Sequence, residues 1–318
     1  MNNSGPVTRP VRFDGNHTKK RRKFQILIDN FELLLLSLPA LLYFFIWHYL
    51  PMGGLIIAFK DYRYDRGIFG SAWNGLDNFK FFFTSQDVWR VTRNTVGYGI
   101  VFIVVGIVSA VTIALLLFEV KRGIFVKIYQ SVIILPRFMS WVIVGYISYA
   151  LLNPMHGSLN QILNEPVSWY TKLEYWPFIL VFTETWKSVG LNTIIYYAAL
   201  AGINYEVYEA AMIDGAGRWK QVRHISIPSL VPLMTILAIM AAGNIFRGDF
   251  GLFYQIPRDI GVLYPVTDII DTYVFRGLRN GEYTIGAAVG LFQSFMGLIL
   301  VLLTNSIAKK IDPEKALF

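Results

Sequence analysis

The chain has 318 residues, of which 54% are hydrophobic, 16% aromatic and 16% charged, with a mean hydropathy of +0.46 and a formal net charge of +8. A soluble domain of this size carries more charge and shorter apolar runs, so an ordinary soluble protein is excluded. The chain has no cysteine, so disulfides and thiolate metal sites are excluded too.

In chain order, residues 1–23 are polar and lack apolar periodicity, which predicts a mobile basic tail ahead of a single domain over 24–318. Six apolar stretches follow, at about 31–59, 96–118, 124–152, 177–201, 230–246 and 283–308. Each approaches the roughly 20 residues that a helix needs to cross hydrocarbon. In lipid the backbone must satisfy its own hydrogen bonds, so these read as helices. The strands of a membrane barrel are shorter and alternate in polarity. The fold class is therefore all-α, a polytopic membrane protein. The first stretch is too long for a cleaved signal and no small-x-small site follows it, so it reads as a retained span with Pro39 and Pro51 as kink or boundary points. Residues 60–93 hold Trp73, Phe79, Phe81, Phe82, Phe83 and Trp89, which an interfacial helix at headgroup level accounts for.

Three charges lie well away from the ends of the stretches: Arg137, Glu184 and Lys187. Buried charges face a bundle interior or a watery cavity, and residues three apart share a helix face. One reading is an internal ion pair, Glu184 with Lys187 or with Arg137; the other is a polar cavity. Asn192, Tyr196, Tyr197, Asn244 and Gln293 are further polar candidates. Gly106, Ala110 and Ala114 in the second stretch, and Gly286 and Gly290 in the sixth, read as close-packing faces.

With the N-terminus inside, 16 Lys/Arg fall on the inner side and 11 on the outer. The positive-inside rule then puts both termini and the polar loop between the fourth and fifth stretches in the cytoplasm. The basic residues sit at the ends of apolar stretches, which argues against nucleic-acid binding. In that loop, Asn204 is placed to cap a helix over 205–211, with Glu206 and Glu209 favoured near its positive end. Asp214-Gly215-Ala216-Gly217 signals a turn. A second short helix over 218–225, at an angle to the first, then leads to Pro228.

The loop reads Glu209-Ala210-Ala211, three residues, Gly215, nine residues, Ile225, one residue, then Ile227-Pro228. This spacing resembles the signature loop of the integral-membrane subunits of bacterial ABC-type importers, with Ile227 where the family usually has leucine. Residues 56–83, 135–147 and 185–228 look like its polysaccharide-permease branch, and the likeness covers about 30–310. The resemblance implies that Glu209, Ala210, Ala211, Asp214, Gly215, Ile225 and Pro228 dock into a separate ATPase. It also implies a plasma-membrane importer of two permeases (the second usually a different chain), two ATPases carrying ATP and magnesium, and an external solute-binding protein. The aromatic 60–93 region is then a second candidate, as a lid or docking surface for that protein. The chain itself carries no G-x-x-x-x-G-K-[ST] loop, and its four histidines show no ligand spacing, so it is expected to bind no cofactor or metal and to catalyse no reaction. The implied cargo is an oligo- or polysaccharide, with Arg137, Glu184, Lys187, Asn192, Tyr196, Tyr197, Asn244 and Gln293 as pathway candidates. If Arg137 and Lys187 both face the cavity, an acidic, uronate-containing saccharide fits. The alternatives are a stand-alone secondary transporter, which usually shows interrupted helices in two similar halves, and a membrane enzyme, for which no catalytic cluster stands out.

Overall fold

The computed structural model describes residues 30–120, 123–163 and 165–311. The tail expected over 1–23 lies outside the described residues. The chain divides after Ile56 into two units.

In the first unit, α1 (Phe31–Phe44) runs into a π turn at Phe45–Tyr49, a helical turn at Leu50–Met52 and a 3-10 stretch that begins at Gly53. Its large apolar side chains are exposed along its length, as a lipid-facing helix requires. Pro39 sits inside α1 without breaking it. Pro51 follows a π turn that ends two residues earlier, and Pro228 follows another, Val222–Ser226, at the same offset. A proline ring collides with the carbonyl four residues back, and the wider turn relieves that collision while the helix continues.

The second unit opens on a two-stranded antiparallel ribbon, β1 (Lys60–Asp61) with β2 (Ala72–Trp73), and α2 (Asp77–Thr84). The helix expected in the aromatic region is present, but Phe82 on it is fully buried against α3 (Gln86–Phe118) and later elements, while Trp73, Phe81, Phe83 and Trp89 are exposed. Lys60 turns inward and donates to the carbonyls of Ile68, Phe69 and Ser71, so the ribbon closes on its own cation.

The third expected span does not form one helix. It is two helical arms, α4 (Gly123–Ile134) with its 3-10 extension Leu135–Phe138, and α5 (Trp141–Leu152), bent by 97° at Met139–Ser140. Pro136 removes an amide and Ser140 accepts from Ile143 N as the cap of a new helix, so the first arm ends and the second starts within four residues. The bend lies against α6 (Trp176–Ala201), where the Ile133 carbonyl lies in the space a side chain on Gly190 would occupy.

Four segments are long and apolar enough to cross a membrane: Phe31–Phe59, Gln86–Phe118, Arg218–Ala242 and Tyr283–Lys309. The bent pair makes a fifth. Six were expected, and the sixth, 177–201, falls short on apolarity alone. That helix forms, as α6, with Phe178, Phe182 and Leu191 exposed, but Glu184, Lys187 and Asn192 make it less apolar than the other spans. It packs on α3, with Leu180, Thr183, Lys187, Thr193, Tyr196 and Leu200 buried. A helix face turned to protein can carry polar groups that lipid would reject. Ala110 and Ala114 of α3 are fully buried against Val189, Tyr196, Leu200 and Leu230, whereas Gly106 lines a cleft; Gly286 packs on Leu278, and Gly290 faces open space. After α7 (Tyr205–Ile213), the expected fifth span starts earlier and stops earlier than 230–246. It runs from Arg218 through the π turn into α8 (Ile227–Ala242), and turns carry the chain to α9 (Phe250–Gln255), α10 (Ile270–Arg279) and α11 (Tyr283–Ile311).

Candidate functional site

A cleft of about 490 Å³ opens between α3, α6 and the turns after α8, lined by Tyr98, Arg137, Glu184, Asn244, Arg247 and Asp249 among others. It adjoins a second space of about 250 Å³ that shares Phe102, Ile103, Glu184 and Ala241 and adds Ser188, Asn192 and Tyr196. Of the eight pathway candidates, Arg137, Glu184, Asn192, Tyr196 and Asn244 therefore come together along one polar tract.

The other three lie elsewhere. Lys187 is buried, with its ammonium 4.6 Å from the Trp141 ring centre and 3.5 Å from the Arg137 carbonyl, so it ties the bend of the third span to α6. Tyr197 packs beside the cluster formed by α3, α6 and α8. Gln293 donates to the Phe246 carbonyl at 2.7 Å and to Asp271 Oδ2 at 3.0 Å, holding α11 to the turn after α8. The expected ion pair of Glu184 with Lys187 or Arg137 is not formed. Glu184 Oε2 is buried without a hydrogen-bond partner, since Lys187 is turned to the ring and carbonyl at the bend.

Sequence reasoning missed Arg247 and Asp249. The polar run Phe246-Arg-Gly-Asp-Phe250 was a signal for them, because it interrupts the end of an apolar stretch. Asp249 accepts from Leu252 N at 3.2 Å, capping α9, and from Trp141 Nε1 at 2.8 Å, which ties α9 to α5. Asp271 accepts from Gly248 N at 2.9 Å. Burial pushes its carboxyl above the usual carboxylate range, partly offset by the Gln293 and Gly248 hydrogen bonds. A side chain at Gly248 would push the ends of the Ile269 and Asp271 side chains aside. The cleft lining thus carries two arginines and two carboxylates. The pairing of Arg137 with Lys187 in one cavity is absent: Lys187 is out of the tract, and Arg137 and Arg247 share the lining with Glu184 and Asp249.

At the far end of α3 sits the polar loop. Asn204 accepts from Glu206 N at 3.1 Å and starts α7. Gly215, at φ +77, ends it, and Ala216 N reaches back to the Ala211 carbonyl at 2.8 Å. Glu209, Ala210, Asp214, Gly215 and Pro228 are exposed, while Ala211 and Ile225 are partly covered. The second helix is not separate, as expected, but is the first turn of the continuous helix 218–242, for the π-turn reason given above. Two apolar side chains that sequence reasoning passed over stand out from this knob, Ile213 at 87% and Trp219 at 72% exposure. Tyr208 OH and Ser226 Oγ meet at 2.9 Å inside it, and Tyr208 packs on Phe118.

A helical membrane fold with a polar tract between its helices and an exposed, capped knob at one end defines a transport component rather than an enzyme. The chain belongs to the family described as the binding-protein-dependent transport system inner membrane component, which it matches over residues 102–316. It is a permease subunit of an ABC-type importer, an inner-membrane protein, and the stand-alone secondary transporter is set aside. Among curated relatives, Protein LplB of Bacillus subtilis is 37% identical over 287 residues, covering 89% of this chain and 90% of the relative. The polygalacturonan/rhamnogalacturonan transport system permease protein YteP of the same organism is 35% identical, covering 93% of each. In the crystal structure of a bacterial ABC transporter that imports the acidic polysaccharide alginate, one chain superposes with a TM-score of 0.82 at 30% identity, covering 92% of this chain and 99% of that one.

Proposed function

We propose that this chain forms the translocation pathway of an importer for oligo- or polysaccharides that carry uronate residues. The observation that carries the reading is the polar tract, in which Arg137 and Arg247 lie with Asn192, Asn244, Tyr98 and Tyr196. Amide and phenol groups suit sugar hydroxyls, and arginine suits the carboxylate of a uronate. Relatives that handle polygalacturonan and alginate support the acidic class. Asp249 is already engaged by Trp141 and the α9 amide.

The chain works beside a second, homologous permease, with two ATPases that bind ATP and magnesium and an external solute-binding protein that delivers the saccharide. Solution of an alginate importer with its saccharide-loaded periplasmic protein supports that last partner. Both termini and the knob face the cytoplasm by the basic-residue count, where an ATPase groove can receive Ile213 and Trp219 together with Glu209, Ala210, Ala211, Asp214 and Gly215. Closure of the ATPases moves the knob, and through Tyr208 and Phe118 the end of α3 follows. Shifting such an equilibrium from 1:99 to 99:1 takes about 5.5 kcal/mol of differential binding.

The test is ATP hydrolysis and uptake by the whole complex in liposomes with its binding protein, offered acidic and neutral oligosaccharides of equal length. Stimulation by the acidic set alone is the expected result. Stimulation by the neutral set alone overturns the acidic class, and uptake that follows an ion gradient without ATP overturns the coupling.

A further inference from the structure

A second polar pocket lies apart from the tract, between α5 and α9, with about 190 Å³ lined by Val142, Gly145, Tyr146, Tyr254, Gln255 and Arg258. Its geometry depends on an unusual turn. Arg258 and Asp259 are consecutive, with φ of 61° and 52°, the only two non-glycine residues at positive φ among the described residues. Such strain persists where the surroundings hold it, and it gathers at functional sites.

The turn separates two charges that adjacent residues could otherwise pair. Asp259 faces inward and accepts from Tyr264 OH at 2.8 Å, with Arg279 at 3.1 Å and Arg276 at 3.6 Å. Arg258 points the other way and is exposed, its guanidinium carbon 3.9 Å from the Tyr149 ring centre. No carboxylate among the described residues lies within ion-pair distance of it. The ring face holds the guanidinium by cation–π attraction, and no described carboxylate takes up its N–H donors. Tyr254 is held by stacking on Phe250 and by Arg279, so one aromatic wall of the pocket is rigid, while Tyr146 is 68% exposed.

We propose that this pocket is a subsite for one anionic sugar residue, distinct from the central tract, with Arg258 binding the carboxylate and Tyr146 and Tyr254 flanking the ring. The proposal rests on the uronate reading above. At about 190 Å³ the pocket is smaller than the roughly 300–1,000 Å³ of drug-sized sites, which suits a single ring and excludes an oligomer lying along it. Gln255 supplies a carboxamide for the neighbouring hydroxyls. A planar fork accepts a carboxylate through two parallel hydrogen bonds, which a lysine cannot reproduce.

The experiment uses the intact complex in phosphatidylcholine vesicles, with trigalacturonate carrying a diazirine as photoprobe and mass mapping of the labelled peptides. Label in 142–146 and 254–258, displaced by free trigalacturonate but not by maltotriose, is expected. Arg258→Gln should lower that label on the order of tenfold and Arg258→Lys by less, the charge being kept and the fork lost. Import of trigalacturonate with label confined to tract peptides overturns the subsite and leaves the uronate reading intact, and it needs no variant to fold. A complex that imports maltotriose and not trigalacturonate overturns both. Label that phosphatidylglycerol in the vesicles abolishes assigns Arg258 to a lipid headgroup and also overturns the subsite.

Discussion

The two ends of α3 hold their neighbours in opposite ways. Near Arg90 the helix is bonded to the segment 265–270 through buried groups. Arg90 reaches Asp268 at 3.0 Å, Asn94 donates to the Asp268 carbonyl at 2.9 Å, Tyr98 donates to the Val266 carbonyl at 2.7 Å, and Thr95 accepts from Ile270 N at 3.0 Å. The Asp268 carboxylate is fully buried between Arg90 and Arg276. Near Phe118 the helix meets the knob through one exposed ion pair, Glu119 with Arg218 at 2.6 Å, and one ring contact with Tyr208. The first end supplies its own rigidity. The second exposes Ile213 and Trp219 and keeps few bonds of its own, so its stiffness must come from whatever covers it.

The largest expected effect comes from breaking the rigid end. Asp268→Ala takes the shared, fully buried carboxylate from Arg90 and Arg276, which keep Asp87 and Asp259, so the cost stays within the about 3–5 kcal/mol of a buried pair that loses its only partner. Thermal unfolding in detergent should show it, and an unchanged midpoint would remove the contrast between the ends. Next is Gly215→Asp at the knob, where a side chain at φ +77 is strained. Uptake should fall on the order of tenfold with the helices still inserted; full ATP-driven uptake would show that the knob does not couple. Tyr208→Phe should cost about 1 kcal/mol by removing the buried bond to Ser226, read as faster amide exchange across 205–226 with the Asp268 end unaffected. Arg218→Ala should be the smallest change, below about 1 kcal/mol and fading in salt, because the pair it breaks is exposed.

Much of the fold was legible because its signals are local. Span 31–59 coincides with the helical segment, and the α7 cap at Asn204 and the turn at Gly215 were readable from residue type and position. The break at 139–140 was less so. Pro136 and Ser140 carry the signal, but an apolar run on either side masks it, and only packing against Gly190 of α6 turns a possible kink into a 97° bend. The site shows the same division. Glu184 and Arg137 stand out as charges in apolar runs, yet their partners depend on elements far away in sequence. Lys187 goes to Trp141, and Asp249, which the sequence reading left in an outer loop, reaches the cleft.

The sequence by itself determined an all-helical membrane chain, the position of its knob and the family it belongs to, because hydropathy, capping and loop spacing are properties of neighbouring residues. Tertiary structure alone decided which charges share the cleft, why α6 can be polar, and that Arg258 turns away from Asp259. Each of those outcomes depends on which distant groups desolvate a side chain or satisfy it, and no local pattern encodes that.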